Sequence, residues 1–126
     1  MMALSPAVQQ ARATALATAL EGGTLTFYTA PQPASGAAVT TQTALAAHPL
    51  PASITPVEAV LSLSLAPATI ASNGTAVWGR MVDSGGAWVI DGDCGGLASS
   101  ALFKLRTTDL IQDGTLIPLT VQISEG

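Results

Sequence analysis

Cysteine, histidine and charged side chains are all scarce in this sequence. The single cysteine, Cys94, has no second thiol in the chain with which to form a disulfide, so there is no sign of a disulfide scaffold. One histidine and one cysteine cannot complete a structural zinc site, which takes four ligands. Only 10% of the residues are charged, less than half of the roughly 25% typical of soluble domains. Few charges are therefore left to keep a free monomer soluble.

Basic residues are too few for the chain to attract a phosphate backbone. Four Lys and Arg residues stand against eight Asp and Glu residues. The longest uncharged stretch, residues 22–57, is interrupted by five prolines and cannot form a continuous membrane-spanning helix. The first four residues lack the basic and apolar regions of a secretory signal. We expect a soluble, non-secreted protein that binds neither nucleic acid nor membrane directly.

The first predicted element is a helix over residues 6–21. Ser5 offers an N-cap oxygen, Pro6 suits the first helical position, and Gly22-Gly23 can close the last turn. An apolar stripe made mostly of alanines would allow close packing on a sheet or on a neighbouring subunit. The stripe predicted from the spacing comprises Val8, Ala11, Ala15, Leu16, Ala19 and Leu20.

After Gly23 the apolar pattern changes from a period near 3.6 to a period near 2, which is typical of strands. The clearest hairpin signal is the turn Asp83-Ser84-Gly85-Gly86 between two apolar runs, residues 75–82 and 87–90. Several short strands with turns between them predict one mainly β domain over residues 1–126, an antiparallel β-sandwich of jelly-roll-like type with one N-terminal helix. Further strands are predicted over residues 24–29, 61–65, 101–106 and 119–124.

Residues 30–56 form a proline-rich segment that holds five of the eight prolines. A loop of this length is unusual in a compact domain, so we predict one short strand near residues 43–47 with extended flanks. Such an extended arm commonly becomes ordered on a partner. The candidate partner-interface residues in the arm and near the N-terminus are Met2, Leu4, Val8, Pro31, Pro33, Pro49 and Pro51.

No group of residues has the pattern of a catalytic, cofactor or metal site. His48 has no carboxylate or thiol nearby in the sequence, and we interpret it as a surface or interface histidine. Asp91-Gly92-Asp93 lacks the further oxygen ligands of a calcium loop, and Cys94 lacks a neighbouring base. The sequence therefore predicts a protein that is not an enzyme and needs no cofactor.

The two tryptophans fall on the two arms of the predicted hairpin. Aromatic residues at such positions usually pack in a core or against each other, so we expect core packing for Trp78 and Trp88. The alternative is that they anchor a partner or, together with Tyr28, stack on a sugar.

The order of these segments resembles a family of small virion structural proteins of tailed bacteriophages, over nearly the full chain. The resemblance is carried by the alanine-rich helix, the strand TLTFY at residues 24–28, the hairpin GTAVWGRMVDSGG at residues 74–86 and the turn DGDCG at residues 91–95. The chain departs from the family at Gly85-Gly86, where members often have Asp-Gly, at Cys94, where they have valine, and in a shortened segment at residues 96–99. These departures affect local loops more than the fold.

The resemblance implies a virion structural protein. Within that class we favour a capsid decoration or cement protein, a minor capsid protein that binds major capsid subunits or other virion proteins. Such a protein would be located in the virion, after assembly in the host cytoplasm, and would associate with itself as a dimer or trimer. The alternative is a tail, baseplate or fibre component that contacts host surface glycans.

Overall fold

The computed structural model describes residues 5–117 and 121–124, which fold into one helix and eleven short strands. The mainly β fold with a single N-terminal helix is confirmed. In chain order the elements are α1 (Pro6–Leu20), β1 (Thr24–Tyr28), β2 (Ala44–Pro49), β3 (Val60–Leu63), β4 (Ala68–Thr69), β5 (Gly74–Thr75), β6 (Trp78–Val82), β7 (Trp88–Gly95), β8 (Phe103–Lys104), β9 (Asp109–Leu110), β10 (Thr115–Leu116) and β11 (Val121–Ser124).

Five strands form the main sheet, in the order β2-β1-β6-β7-β8. Neighbouring strands in this sheet are antiparallel except β7 and β8, which run parallel. The prediction of a wholly antiparallel sheet is therefore wrong for this pair of strands. The remaining strands pair as β3 with β11, β4 with β10 and β5 with β9. The predicted hairpin is confirmed as β6 and β7 joined by the turn at residues 83–86.

Helix α1 begins at Pro6, as predicted, and ends at Leu20, one residue before the predicted end. The Ser5 hydroxyl accepts a hydrogen bond from the Val8 amide at 3.3 Å, and Gly22 follows the helix with a φ of 72°. The predicted apolar stripe is confirmed only at Leu20, and at Leu16 in part, because the other buried residues of the helix are Ala13 and Ala17. Alanines occur on every side of this helix, so their spacing does not select a face. Four members of the predicted stripe are exposed, namely Val8, Ala11, Ala15 and Ala19.

The core lies on one face of the main sheet. Leu25 and Phe27 of β1 point into it, and the Phe27 ring meets the Phe103 ring edge to face with centroids 5.8 Å apart. Gly79 on β6 permits this packing, because a Cβ there would lie 3.1 Å from the Phe103 ring. From β3, Leu61 and Leu63 are buried while Ser62 is exposed, which confirms the alternation seen in the sequence. The buried apolar side chains other than Trp78 and Ala101 form one cluster.

The proline-rich segment is part of the domain and does not project from it as an arm. The short strand predicted within it is confirmed as β2, which pairs with β1 along the edge of the sheet. After β2, the Leu50 amide donates to the Gly23 carbonyl and the Gly22 amide donates to the Pro51 carbonyl, each at 2.9 Å. Ile54 and Pro56 are buried. These contacts attach the end of the segment to the residues that follow α1, which the count of prolines did not reveal.

Candidate functional site

His48 lies in the core and not at the surface, which corrects the sequence prediction. It pairs with Leu25 across β1 and β2, so its side chain faces the core together with Leu25. Its Nδ1 lies 3.0 Å from the carbonyl oxygen of Ala66 and therefore donates to it, while its ring meets Phe27 edge to face. Nε2 is buried and has no hydrogen-bond partner among the described residues. Burial lowers the pKa of this imidazole, and the bond to Ala66 offsets only part of that effect.

The other candidates for chemistry have ordinary structural roles. Burial, with a smaller contribution from the Asp93 charge, raises the pKa of the Cys94 thiol to about 12, so it is protonated and unreactive at neutral pH. Asp93 accepts a hydrogen bond from the Leu102 amide at 2.9 Å. Within residues 5–117 and 121–124, no three His, Cys, Asp or Glu residues gather into a group able to hold a metal ion.

Trp78 is buried, as predicted, but on the face of the sheet opposite the core. Its ring stacks on Tyr28 with centroids 4.6 Å apart, and its indole N–H donates to the Thr29 carbonyl at 2.9 Å. The guanidinium carbon of Arg80 lies 5.3 Å from the Trp78 ring centroid, within cation–π range. Trp78 is therefore enclosed by neighbours from its own chain and offers no free surface to a ligand.

Asp91 connects three segments of the chain on this same outer face. Its Oδ1 accepts from Arg80 Nε at 2.7 Å, and its Oδ2 accepts from Arg80 Nη2 at 2.9 Å, a two-point ion pair between β6 and β7. The Gly36 amide donates to Oδ2 at 3.0 Å, and Arg80 Nη2 also donates to the Ala37 carbonyl at 2.6 Å. The loop between β1 and β2 is thereby fixed on the sheet.

Burial alone would raise the pKa of Asp91, whose side chain is only 1% exposed. Hydrogen bonds from Arg80, Gly36 and Trp88, with the positive charge of Arg80, outweigh burial and leave the pKa below its usual value. The carboxylate is therefore charged and paired at neutral pH.

Trp88 is the exposed member of this group, and the prediction of core packing is wrong for it. It remains 47% exposed, at the end of the hairpin away from Trp78, because a register shift between Met81 and Val82 places it opposite Val82. Its ring lies on Gly36, where a Cβ would be 2.9 to 3.1 Å from three of its ring carbons. Gly36 also has a φ of 76°, which favours glycine. The structure thus holds Trp88 against the loop and leaves much of its surface open.

The residues predicted as partner contacts are scattered. Val8 is 45% exposed on α1, and Pro49 is exposed on β2. Pro31 is exposed and Pro33 half-buried in the loop between β1 and β2, whereas Pro51 is half-buried beside the end of α1. Met2 and Leu4 lie outside the described residues. Sequence reasoning gave Trp88 as a partner anchor only as an alternative, and it omitted the other large apolar side chains at the surface of the described residues, which are Val57, Leu97, Ile111 and Ile117.

The chain matches no protein-family model, no curated protein and no solved structure. In the described part of the chain, no helix is long and apolar enough to cross a membrane.

Proposed function

We propose that this protein is a structural component of a bacteriophage virion, a capsid decoration or cement protein that binds major capsid subunits. The observation that carries the proposal is the surface of the described residues. It exposes six large apolar side chains by 45 to 72% in a chain with only 10% charged residues. Single exposed apolar residues are ordinary, but so many with so few charges favour a subunit that is covered by partners. The resemblance in the hairpin and strand motifs supports the same class.

Such a protein would act through the free energy with which it binds the capsid shell. Each apolar side chain that becomes buried against the shell contributes about 25 cal/mol per Å² of area removed from water. Only part of this appears as affinity, because association costs translational and rotational freedom. A decoration protein compensates by number, since many copies bridge many junctions between subunits and each raises the force needed to separate them. Symmetric placement would make it a dimer or trimer at a local symmetry axis.

A second candidate function is that of a tail, baseplate or fibre component that binds host surface glycans. The exposure of Trp88 favours it, because an open indole face can stack on a sugar ring. Trp78 cannot serve as a further platform in the way the sequence suggested, and Tyr28 already has one face of its ring covered. Trp78 is fully buried, and the Tyr28 ring is stacked on it.

The number of copies per virion distinguishes these functions. A decoration protein repeats with the capsid lattice, so we expect on the order of hundreds of copies. A connector, baseplate or fibre component repeats with the tail symmetry and would be present in about six to a few dozen copies. Quantitative mass spectrometry of purified virions, scaled to the major capsid protein, gives this ratio. A value in the lower range would contradict the proposal.

A further inference from the structure

We propose that Asn73 is a site of spontaneous covalent modification, at which the side-chain amide is converted to a carboxylate through a cyclic imide formed with the backbone of Gly74. Asn73 is exposed and lies between β4 and β5. It is the one asparagine of the chain, and glycine follows it directly. The reaction needs only water as a co-reactant and is independent of the proposed function.

The chemistry joins the Asn73 side chain to the next peptide nitrogen. Solvent base removes the Gly74 amide proton, and the nitrogen attacks Cγ of Asn73, which places negative charge on Oδ1. The bond from Cγ to Nδ2 then breaks, and Nδ2 leaves as ammonia with a proton from water. Water opens the resulting ring at Cγ, which gives aspartate, or at the backbone carbonyl carbon of residue 73, which gives isoaspartate.

Gly74 leaves its nitrogen unhindered, because no Cβ stands beside the attacking atom. Packing also favours glycine at this position. A Cβ on Gly74 would lie 2.9 Å from Thr29 Cγ2 and 3.0 Å from Leu45 Cδ2, inside the roughly 3.5–4.0 Å that is optimal for two carbon atoms. The packing that brings Gly74 against Leu45 of β2 therefore also creates the reactive pair Asn73-Gly74.

A backbone donor is already in place at the oxygen where charge develops. The Gln112 amide, in the turn between β9 and β10, donates to Asn73 Oδ1 at 2.7 Å. A preorganised donor of this kind stabilises the oxyanion that forms when a carbonyl carbon is attacked. The fold thus favours attack on Cγ of Asn73.

The backbone around Asn73 is held by a short pair of strands. β5 and β9 pair at two positions only, one of them Gly74 with Leu110. Asn73, Thr75 and Asp109 are exposed. Because the pair is so short and so exposed, it opens locally at little cost in free energy, and this frees the Gly74 nitrogen to reach Cγ.

The two products differ in their effect on the fold. Aspartate keeps the path of the backbone and adds one negative charge to a chain whose formal net charge is -4. Isoaspartate routes the main chain through Cβ and Cγ, so the backbone gains one atom before Gly74. Gly74 can then no longer pair in register with Leu110, and we expect β5 and β9 to separate.

The test follows the peptide that contains residue 73 while the folded protein is incubated at pH 8, beside the same chain unfolded in urea. Peptide mapping by mass spectrometry distinguishes asparagine, aspartate and isoaspartate at this position. We expect the folded wild type to accumulate isoaspartate there. Asn73→Gln should give none in this peptide, because the longer side chain closes the ring far more slowly.

Gln112→Pro removes the donor to Asn73 and suits the turn. The turn is closed by a hydrogen bond from the Gly114 amide to the Ile111 carbonyl, and Asp113 at its third position has a φ of 70°. Proline is favoured at the second position of such a type II turn, which Gln112 occupies. We expect Gln112→Pro to slow the reaction of the folded protein by about tenfold. Gln112→Ala keeps the amide and should react like the wild type.

The unfolded chains provide the reference, since all of them that contain Asn73 should react at the same rate. An amide retained at residue 73 of the folded wild type, while its unfolded chain converts, would overturn the proposal, because the fold would then protect the site. Equal rates for folded wild type and folded Gln112→Pro would overturn the part assigned to the Gln112 amide. Circular dichroism melting confirms that each variant is folded, and the comparison of folded with unfolded wild type needs no variant.

Discussion

Replacing Asp91 with alanine is expected to lower the free energy of unfolding by about 3 kcal/mol, because it leaves the largely buried guanidinium of Arg80 without its carboxylate partner. The two side chains are only 11% and 1% exposed, so water replaces the lost interaction poorly. The Gly36 amide also loses its acceptor, which releases the loop between β1 and β2. Urea denaturation measures the loss of stability, and amide hydrogen exchange at Gly36 measures the release of the loop.

Asp93→Ala is the matched control for this experiment. Asp93 lies on the same strand and is exposed, and it accepts one hydrogen bond from a backbone amide. Its replacement removes the same charge and should cost about 1 kcal/mol. Arg80→Met combined with Asp91→Leu should restore part of the loss seen for Asp91→Ala, since an apolar pair leaves no buried charge. Equal stabilities of Asp91→Ala and Asp93→Ala would contradict the role given to Asp91.

Acidification below pH 6.5 is expected to destabilise the fold through His48. Burial makes the pKa of this imidazole lower in the folded state than in the unfolded state, so folding disfavours its charged form. The contribution of His48 to the free energy of unfolding is therefore complete above the unfolded pKa of about 6.5 and is lost as the pH falls below that value. The slope is at most about 1.4 kcal/mol per pH unit. Physically, a proton added to Nε2 would have no acceptor in the buried site.

The effect can be assigned without ambiguity because the chain has one histidine. Unfolding free energies measured between pH 8 and pH 5 give the slope, and an NMR titration of the imidazole protons gives the folded pKa. His48→Asn is the control, since its side-chain amide can still donate to Ala66 but does not titrate. It should be less stable at pH 8 and show a shallower slope below pH 6.5. Parallel slopes in the two proteins would contradict this account of His48.

The sequence predicted best those elements whose local pattern admits one answer. Ser5, Pro6 and Gly22 mark the ends of α1 through backbone chemistry, and the structure places the ends there. The strict alternation at Leu61-Ser62-Leu63 identifies the strand and its buried face. The turn at residues 83–86 identifies the hairpin. In each case the decisive signal lies within a few residues.

The failures concern side chains whose environment depends on strand register or on distant segments. His48 is buried because of its pairing with Leu25, and Trp88 is exposed because a register shift precedes it. Neither the burial of His48 nor the exposure of Trp88 can be predicted from the local sequence pattern. The ion pair between Arg80 and Asp91 left a partial signal, since Arg80 lies on one predicted arm of the hairpin and Asp91 lies one residue beyond the end of the other. The contact of Gly36 with Trp88 joins residues 52 positions apart and left none.

We propose that this protein strengthens a capsid shell by covering junctions between its subunits. The most direct measurement is the temperature at which virions release their genome, with and without the protein. We expect particles that lack it to keep their shell geometry by electron microscopy but to rupture at a lower temperature and at a milder osmotic shock, and to recover when purified protein is added back. Identical rupture thresholds for the two kinds of particle would contradict the claim.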